Sequence, residues 1–387
     1  MSISFYSFIF LLFFSVLHCH AVNQITQSQP LFQNQTLVSS SQVFELGFFT
    51  PNGSENRYIG IWYKNMTPSK IIWVANRDKP IAYNDQLATP RIGGDGNLQL
   101  LDGRHYLVWS ANASSQTNDS SAILSDLGNF ILQDANSGNI FWQSFDNPSD
   151  TLLPGMKMGT NSRTGVKTYL TSWKSDTDPA PGNFSFGISP EMPPQYFIWK
   201  GSTPYWRTGQ WDKSMFIGMP YMDQRYVTDF SLQQDPEHGT VFLYIQSSPN
   251  YPFFYTSISS EGHLEHNFWD EKAMNSVTNW EEPRNSCDTY GNCGPCGVCV
   301  AFDMPICSCL EGFKLKSSDQ WNERNWTSGC IRESELNCQK NMSTTGKEDG
   351  FLKIGHVKLP DHSDYLPDIW DTEDCQIWCL NNCSCMA

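Results

Sequence analysis

From residue 20 to residue 286 the chain has no cysteine; Cys19 lies in an N-terminal apolar run, and the other twelve fall between Cys287 and Cys385. The cysteine-free stretch must therefore hold together by a core alone. The C-terminal stretch is stapled, and disulfides persist in oxidising surroundings, outside the cytosol. Positive charge is also scarce, with 25 Lys and Arg against 40 Asp and Glu and a net charge of −15. That balance excludes nucleic acid and anionic membrane as partners, because both need a basic face. Long apolar runs are missing after Leu17, so no later segment reaches the ~20 residues of a membrane span. The kinase signatures G-x-G-x-x-G, H-R-D and D-F-G are absent, as are a nucleophile elbow and a metal-binding motif. The sequence thus predicts a chain that is not an enzyme and needs no cofactor and no metal.

What is present begins with Met1–Ala21, mostly apolar from Ile3 to Leu17 and ending in small and polar residues. This reads as a signal peptide cleaved near Ala21. A membrane anchor is the alternative, because no Lys or Arg precedes the apolar run. Nine N-x-S/T sequons follow, at Asn34, Asn52, Asn65, Asn112, Asn118, Asn183, Asn325, Asn341 and Asn382. Together they point to a glycoprotein of the secretory route. Residues 22–150 are rich in strand patterns such as QVFELGFF, YIGIWYK, NLQLLD and NFILQD, set apart by Gly, Asn, Asp and Pro. That spacing predicts an all-β sandwich, barrel or prism.

An internal repeat narrows the choice. GDGNLQLLD at 94–102 recurs as DLGNFILQD at 126–134. Apolar-Trp units keep the same rhythm at Trp73, Trp109 and Trp142. One unit cannot bury its apolar face, whereas three can. The three tryptophans are expected to fill a shared axis.

The runs Trp73-Val-Ala-Asn-Arg-Asp78, Gly94-Asp-Gly-Asn-Leu98 and Trp142-Gln-Ser-Phe-Asp-Asn-Pro-Ser-Asp-Thr-Leu-Leu-Pro-Gly-Met156 resemble the bulb-type (mannose-binding) lectin domain of plant S-locus glycoproteins and S-domain receptor kinases. Leu170-Thr-Ser-Trp-Lys-Ser175, Asp178–Phe184, Trp206-Arg-Thr-Gly-Gln-Trp211 and Phe216–Pro220 resemble the S-locus glycoprotein region of the same family. The resemblance implies two consecutive bulb-lectin-like β-prism domains, the first a prism of three four-stranded sheets. A disulfide-rich EGF-like module and a truncated α+β PAN/apple domain would follow. The implied boundaries are 22–150, 151–285, 286–338 and 339–387, behind a signal peptide at 1–21.

The bulb-lectin sugar site resembles Q-x-D-x-N-x-V-x-Y. The best frame in this chain runs from Gly93 to Leu101. Asp95 and Asn97 fit it, while Gly93, Gln99 and Leu101 replace the Gln, Val and Tyr. The repeat at 125–133 keeps only Asn129. Asp95 and Asn97 are therefore the candidate carbohydrate residues; as D-G-N they serve equally as turn formers.

The cysteine frame, with Cys307-Ser-Cys309-Leu-Glu-Gly312-Phe313 at its end, resembles an EGF-like module using Cys287, Cys293, Cys299, Cys307, Cys309 and Cys330. Cys293-Gly-Pro-Cys296 has the letters of a thioredoxin site, and Cys293, Cys296 and Cys299 have zinc-like spacing. No βαβ context supports redox chemistry, and disulfides are the expectation in a secreted frame. The apple-like remainder uses Cys338, Cys379, Cys383 and Cys385 and places Cys375 one helical turn before Cys379. Cys296 and Cys375 are left over; connectivity does not follow from sequence. The resemblance implies an apple domain that stops early, at Ala387.

The expected role is extracellular recognition of a peptide or glycan ligand, as in pollen recognition or defence. The protein would be secreted, or on the outer side of the plasma membrane if a span follows. A soluble carbohydrate-binding lectin and a fragment of a full Ser/Thr receptor kinase are the alternatives. A homodimer or co-receptor is an expected partner. Residues 205–225 are rich in hot-spot types, so Trp206, Arg207, Trp211, Met215, Tyr221 and Arg225 are the candidate ligand or dimer surface, with core packing the competing reading for Trp206 and Trp211.

Overall fold

The computed structural model describes residues 21–113, 119–189, 191–224, 230–235, 237–246, 253–270, 272–339, 349–362, 366, 368–369 and 371–385. Residues 1–20 of the expected signal peptide, the sequons at Asn118 and Asn341, and Arg225 lie outside the described residues, as does the side chain of Cys338.

The alternating apolar runs form strands, and the strands form three sheets around one core. The first sheet orders Ala21–Val22, Thr36–Val38, Phe44–Phe49, Asn56–Tyr63 and Ile71–Val74, with Ile81–Ala82 added onto Asn56–Tyr63. The second holds Leu107–Ser110, Leu98–Leu101 and Thr89–Ile92. The third holds Ile140–Gln143, Phe130–Asp134, Ser120–Leu124 and Ile25–Thr26. Strand numbers thus differ from an even four per sheet. The chain at Leu31 passes beside Thr89–Ile92 but donates only one backbone bond there, to Pro90 O at 3.1 Å.

The repeat is visible as matched hairpins. Gly93 N donates to Asn97 O at 2.8 Å, and Ser125 N donates to Asn129 O at 2.9 Å. Both turns need a left-handed residue, supplied by Gly96 (φ 75°) and Gly128 (φ 83°). The three rhythmic tryptophans meet, as the repeat predicts. Ring centroids are 6.0 Å apart for Trp73–Trp109, 5.9 Å for Trp73–Trp142 and 5.6 Å for Trp109–Trp142. All three contacts are edge-to-face, the geometry favoured by the ring quadrupoles.

Residues 151–282 build a second prism of three four-stranded sheets. One contains Thr151–Leu152, Phe254–Ile258, Leu264–Asp270 and Asn275–Glu282. Another contains Val166–Lys167, Lys157–Asn161, Thr240–Ile245 and Phe230–Asp235. The last contains Leu170–Ser175, Asp178–Ile188, Tyr196–Lys200 and Thr203–Arg207.

Polar groups join the two prisms across a buried seam. Arg77 donates from Nε to Pro179 O at 2.6 Å, from one terminal nitrogen to Thr171 O at 3.0 Å and from the other to Ser172 O at 2.5 Å. It is only 8% exposed, and burial pushes its pKa down from the ordinary arginine value. Lys70 pairs with Asp150 at 3.3 Å, and Trp173 Nε1 donates to the same carboxylate at 3.1 Å. Tyr63 O–H donates to Phe254 O at 3.2 Å.

Past Glu282 the core gives way to staples. Disulfides join Cys287 to Cys299, Cys293 to Cys307 and Cys309 to Cys330. They flank two short ribbons, Gly297–Cys299 with Cys307–Cys309 and Phe313–Leu315 with Cys330–Arg332. The last described element is the helix Thr372–Leu380, capped by Asp371, whose carboxylate accepts Asp374 N–H at 2.8 Å. Cys379 bonds Cys385, and Cys383 is also disulfide-bonded. The resemblance to an apple domain also implies a strand over 350–360, and none forms there. Those residues run without a ladder, and part of the segment is held instead by the second prism.

Among the described residues no helix is long and apolar enough to cross a membrane.

Candidate binding site

Asp95 is exposed and Asn97 half-buried, at the tip of the 89–101 hairpin. Asp95 Oδ1 accepts Asn97 N–H at 3.1 Å, closing an Asx-type turn. Gln99 Nε2 lies 3.5 and 3.4 Å from the two Asp95 oxygens. A Cβ on Gly93 would meet Asp95 Oδ1 at 2.6 Å and Gln99 Nε2 at 2.9 Å. The amide missing at position 93 is thus replaced in space by the amide of Gln99, which sits where the frame's Val would give an apolar face. Sequence reading counted Gln99 only as a loss; its alternation with Asp95 and Asn97 along one strand face was the available signal.

Asn97 is also tethered, with Oδ1 accepting Ala113 N–H at 3.3 Å. In the repeat, Asn129 is buried and engaged on both ends of its amide. It donates to Gln143 Oε1 at 2.8 Å and accepts from Ser144 Oγ and Phe145 N at 3.2 Å each. Asn76 does the same work after Trp73, accepting Ile59 N–H at 2.9 Å. The repeat's asparagines are structural amides first, and only the Asp95–Asn97–Gln99 set faces solvent. A polar groove of about 440 Å³, lined by Thr26, Gln27, Ser28, Asp119 and Ser120, lies beside this hairpin; Gln27 Nε2 would be 3.8 Å from a Cβ on Gly94.

The surface expected over 205–225 needs correction. Trp206 is 1% exposed and donates from Nε1 to Glu282 Oε2 at 3.2 Å, and Trp211 is buried against Phe216. Both are core residues, because strand Thr203–Arg207 turns Trp206 inward under Tyr196–Lys200. Arg207 is covered by the chain's own segment 358–361. It donates to Leu359 O, and Lys358 Nζ donates back to Arg207 O. Met215 and Tyr221 are half-buried. Tyr221 O–H donates to Glu282 Oε1 at 2.5 Å, and Arg284 lies 3.0 Å from the same oxygen.

The segment over Arg207 forms a strap. Asp361 accepts from Gln195 Nε2 and Tyr290 O–H at 2.6 Å each, and Gln210 Nε2 donates to Pro360 O at 3.2 Å. Burial pushes the Lys358 ammonium down to about 8. Burial also works against the Asp361 carboxylate, but the bonds from Tyr290 and Gln195 outweigh it and hold its pKa below the ordinary value. None of this polar hub was visible in sequence, because its members are up to 166 residues apart.

The cysteines that invited sharper readings are placed as follows. Cys293, Cys299 and Cys307 lie close together, and each is in a disulfide. Cys296 is free and half-buried with φ 57°, and burial raises its thiol pKa. That is the opposite of a thiolate activated for exchange. Cys375 is free and exposed. Of the described sequons, Asn34, Asn52, Asn65, Asn112, Asn183 and Asn325 are exposed, and Asn382 is half-buried.

His266 gives the second prism a defined acid response. Its ring stacks on Trp280 at 5.4 Å, its Nδ1 meets Thr256 Oγ1 at 2.9 Å, and burial lowers its pKa from 6.5 to about 4. Between those values the unfolded chain binds more protons, so stability rises with pH across the window. Acidification from pH 6.5 to 4 should remove about 2–3 kcal/mol through this group. Thermal midpoints across that range should fall less steeply for His266→Phe; parallel slopes would refute the assignment.

Comparison with known proteins fits this architecture. A D-mannose binding lectin family model matches residues 70–174, an S-locus glycoprotein domain model 206–317 and a PAN-like domain model 338–387. The order defines an S-domain chain, with lectin-type prisms followed by a stapled tail. The chain belongs to the G-type lectin S-receptor-like family. One such serine/threonine-protein kinase of Arabidopsis thaliana is 44% identical over 364 residues, 94% of this chain and 44% of that protein. Another from the same plant is 44% identical over 382 residues, covering 97% of this chain and 46% of that protein. The chain therefore spans a little under half the length of these relatives. Solved structures similar to it include a monomeric monocot mannose-binding lectin from Gastrodia elata (17% identity, TM-score 0.25, 32% of this chain and 96% of that one). The two-domain fetuin-binding agglutinin of Scilla campanulata is 9% identical, with a TM-score of 0.23, covering 67% of this chain and 87% of that one.

Proposed function

We propose that this chain is the ligand-recognising outer region of an S-domain receptor or a secreted S-locus-type glycoprotein, and that it acts by binding. The observation that carries this is the ordered series of lectin, S-locus glycoprotein and PAN-like regions, held at 44% identity across 94% of the chain. The disulfide frame and exposed sequons support an extracellular address. Recognition serves pollen discrimination or defence, and the ligand is a peptide or a glycan. Kinase activity belongs to the longer relatives. The test is expression in plant cells with a C-terminal tag. The expected product is secreted or surface-accessible, carries N-glycans and runs with its disulfides formed. An unglycosylated, reduced, cytosolic product would overturn the reading.

A second reading, direct glycan binding, rests on the solvent-facing set Asp95, Asn97 and Gln99. Each hydrogen bond there contributes ~1 kcal/mol net, and the apolar face of the frame is missing. Binding of methyl α-mannoside should be no tighter than about 1 mM, near −4 kcal/mol. Titration calorimetry showing micromolar affinity that Asp95→Ala abolishes would establish the lectin reading instead.

A further inference from the structure

We infer that an N-linked oligosaccharide on Asn112 covers the Asp95–Asn97–Gln99 face and withdraws it from recognition of free partners. Three observations converge on this. The first is register: Ser110 pairs with Gln99 across the Leu98–Leu101 and Leu107–Ser110 strands. The backbone bond from Ala111 N to Leu98 O, at 3.0 Å, carries that register one step further. Asn112 is the next residue past that bond, and its exposure beside buried Ala111 matches the outward placing of Asn97 and Gln99 on either side of buried Leu98. The second is the tether. The Asn97 side-chain oxygen already accepts Ala113 N–H at 3.3 Å, which leaves it one lone pair for a sugar hydroxyl. The group left from the sugar frame thus fixes the backbone next to the attachment residue. Asn112 itself is exposed with φ 51°, a left-handed conformation that asparagine tolerates.

The third is the surroundings. The groove lined by the polar residues Thr26, Gln27, Ser28, Asp119 and Ser120 borders the same hairpin at Gln27. Hydroxyl, amide and carboxylate groups there match the hydroxyls of an oligosaccharide. A tethered sugar also needs little intrinsic affinity, because attachment makes its local concentration high. A weak, apolar-poor set such as Asp95, Asn97 and Gln99 suits a tethered glycan better than a free one. Attachment forms one bond, from the Asn112 side-chain nitrogen to the anomeric carbon of a sugar on a polyprenyl diphosphate donor. The amide loses one proton and the diphosphate leaves.

This goes beyond the recognition role and is compatible with any ligand except a free glycan bound at this same face. The protein is secreted from plant or insect cells in three forms, each carrying Gln99→Cys: with the sequon intact, with Asn112→Gln, and with Ser114→Ala. The last removes the sequon while keeping Asn112, which guards against a folding defect. Glycopeptide mass spectrometry reads occupancy at Asn112, and peptide mapping reads the rate at which a bulky maleimide labels residue 99. The expected result is an occupied Asn112 and labelling several-fold slower than in both sequon-free forms. An empty Asn112, or equal rates in all three forms, overturns the inference.

Discussion

Arg77→Ala should cost about 3–5 kcal/mol, because it leaves several buried acceptors unmet at about 1–3 kcal/mol each. Three carbonyls of the second prism, those of Pro179, Thr171 and Ser172, point their lone pairs at this one guanidinium. Without it they stay buried and lose their best donor, and an unmet buried acceptor is what makes such truncations costly. Lysine is a poor substitute, because an ammonium cannot span three acceptors with a planar fork. Arg77→Lys should recover less than half of the loss. The damage should also be local. Apolar packing runs through the seam, with Tyr63 5.9 Å from Phe253 and 6.3 Å from Tyr255, so both halves should persist while limited proteolysis opens a new cut in the connection around Ser144–Thr151. A urea midpoint unchanged in Arg77→Ala would show that the seam is held by packing alone.

Trp73→Ala should be as costly, about 3–5 kcal/mol, but its damage should fall inside the first prism. Trp73 packs edge-to-face on both other axial tryptophans and on Phe130, and its Nε1 donates to Asn147 O at 2.8 Å. Truncation opens a cavity at the point where all three sheets meet. Trp73→Phe retains a ring on the axis and loses the bond to Asn147, so a smaller loss is expected. Trp109 and Trp142 are half-buried, and alanine there should cost less than at Trp73. Urea unfolding followed by fluorescence of the remaining tryptophans checks the order. Equal losses at the three positions would contradict a shared axis with Trp73 at its buried centre.

These two residues mark the boundary of what sequence could reveal. The axial tryptophans were legible because a repeat announces itself: equivalent residues recur at near-equal spacing, and symmetry then implies that they meet. The paired Gly96 and Gly128 turns were legible for the same reason. Arg77 was not, although it sits in the run Trp73–Asp78 that carries the resemblance. Its partners are backbone carbonyls about a hundred residues away, and carbonyls carry no sequence signal. The hub of Trp206, Tyr221, Glu282 and Arg284 was hidden by distance, since Glu282 lies 76 residues from Trp206 and 61 from Tyr221. Composition alone made 205–225 look like a contact surface, since Trp, Tyr and Arg serve binding and burial equally well. Strand direction decides between those roles, and it turns Trp206 inward. The sugar frame was half legible. Asp95 and Asn97 could be read from the motif, whereas the rescue of the missing amide by Gln99 needed the fold, which brings its Nε2 to 3.4 Å from Asp95.

The central claim is that this chain works by binding outside the cell through surfaces other than a mannose site. The direct measurement is a titration of the fluorescently labelled, secreted chain onto intact pollen and leaf tissue. Competitors are excess unlabelled chain and, separately, methyl α-mannoside. The account predicts saturable binding displaced by unlabelled chain and indifferent to the mannoside. Binding that never saturates, or that the mannoside displaces, would contradict it.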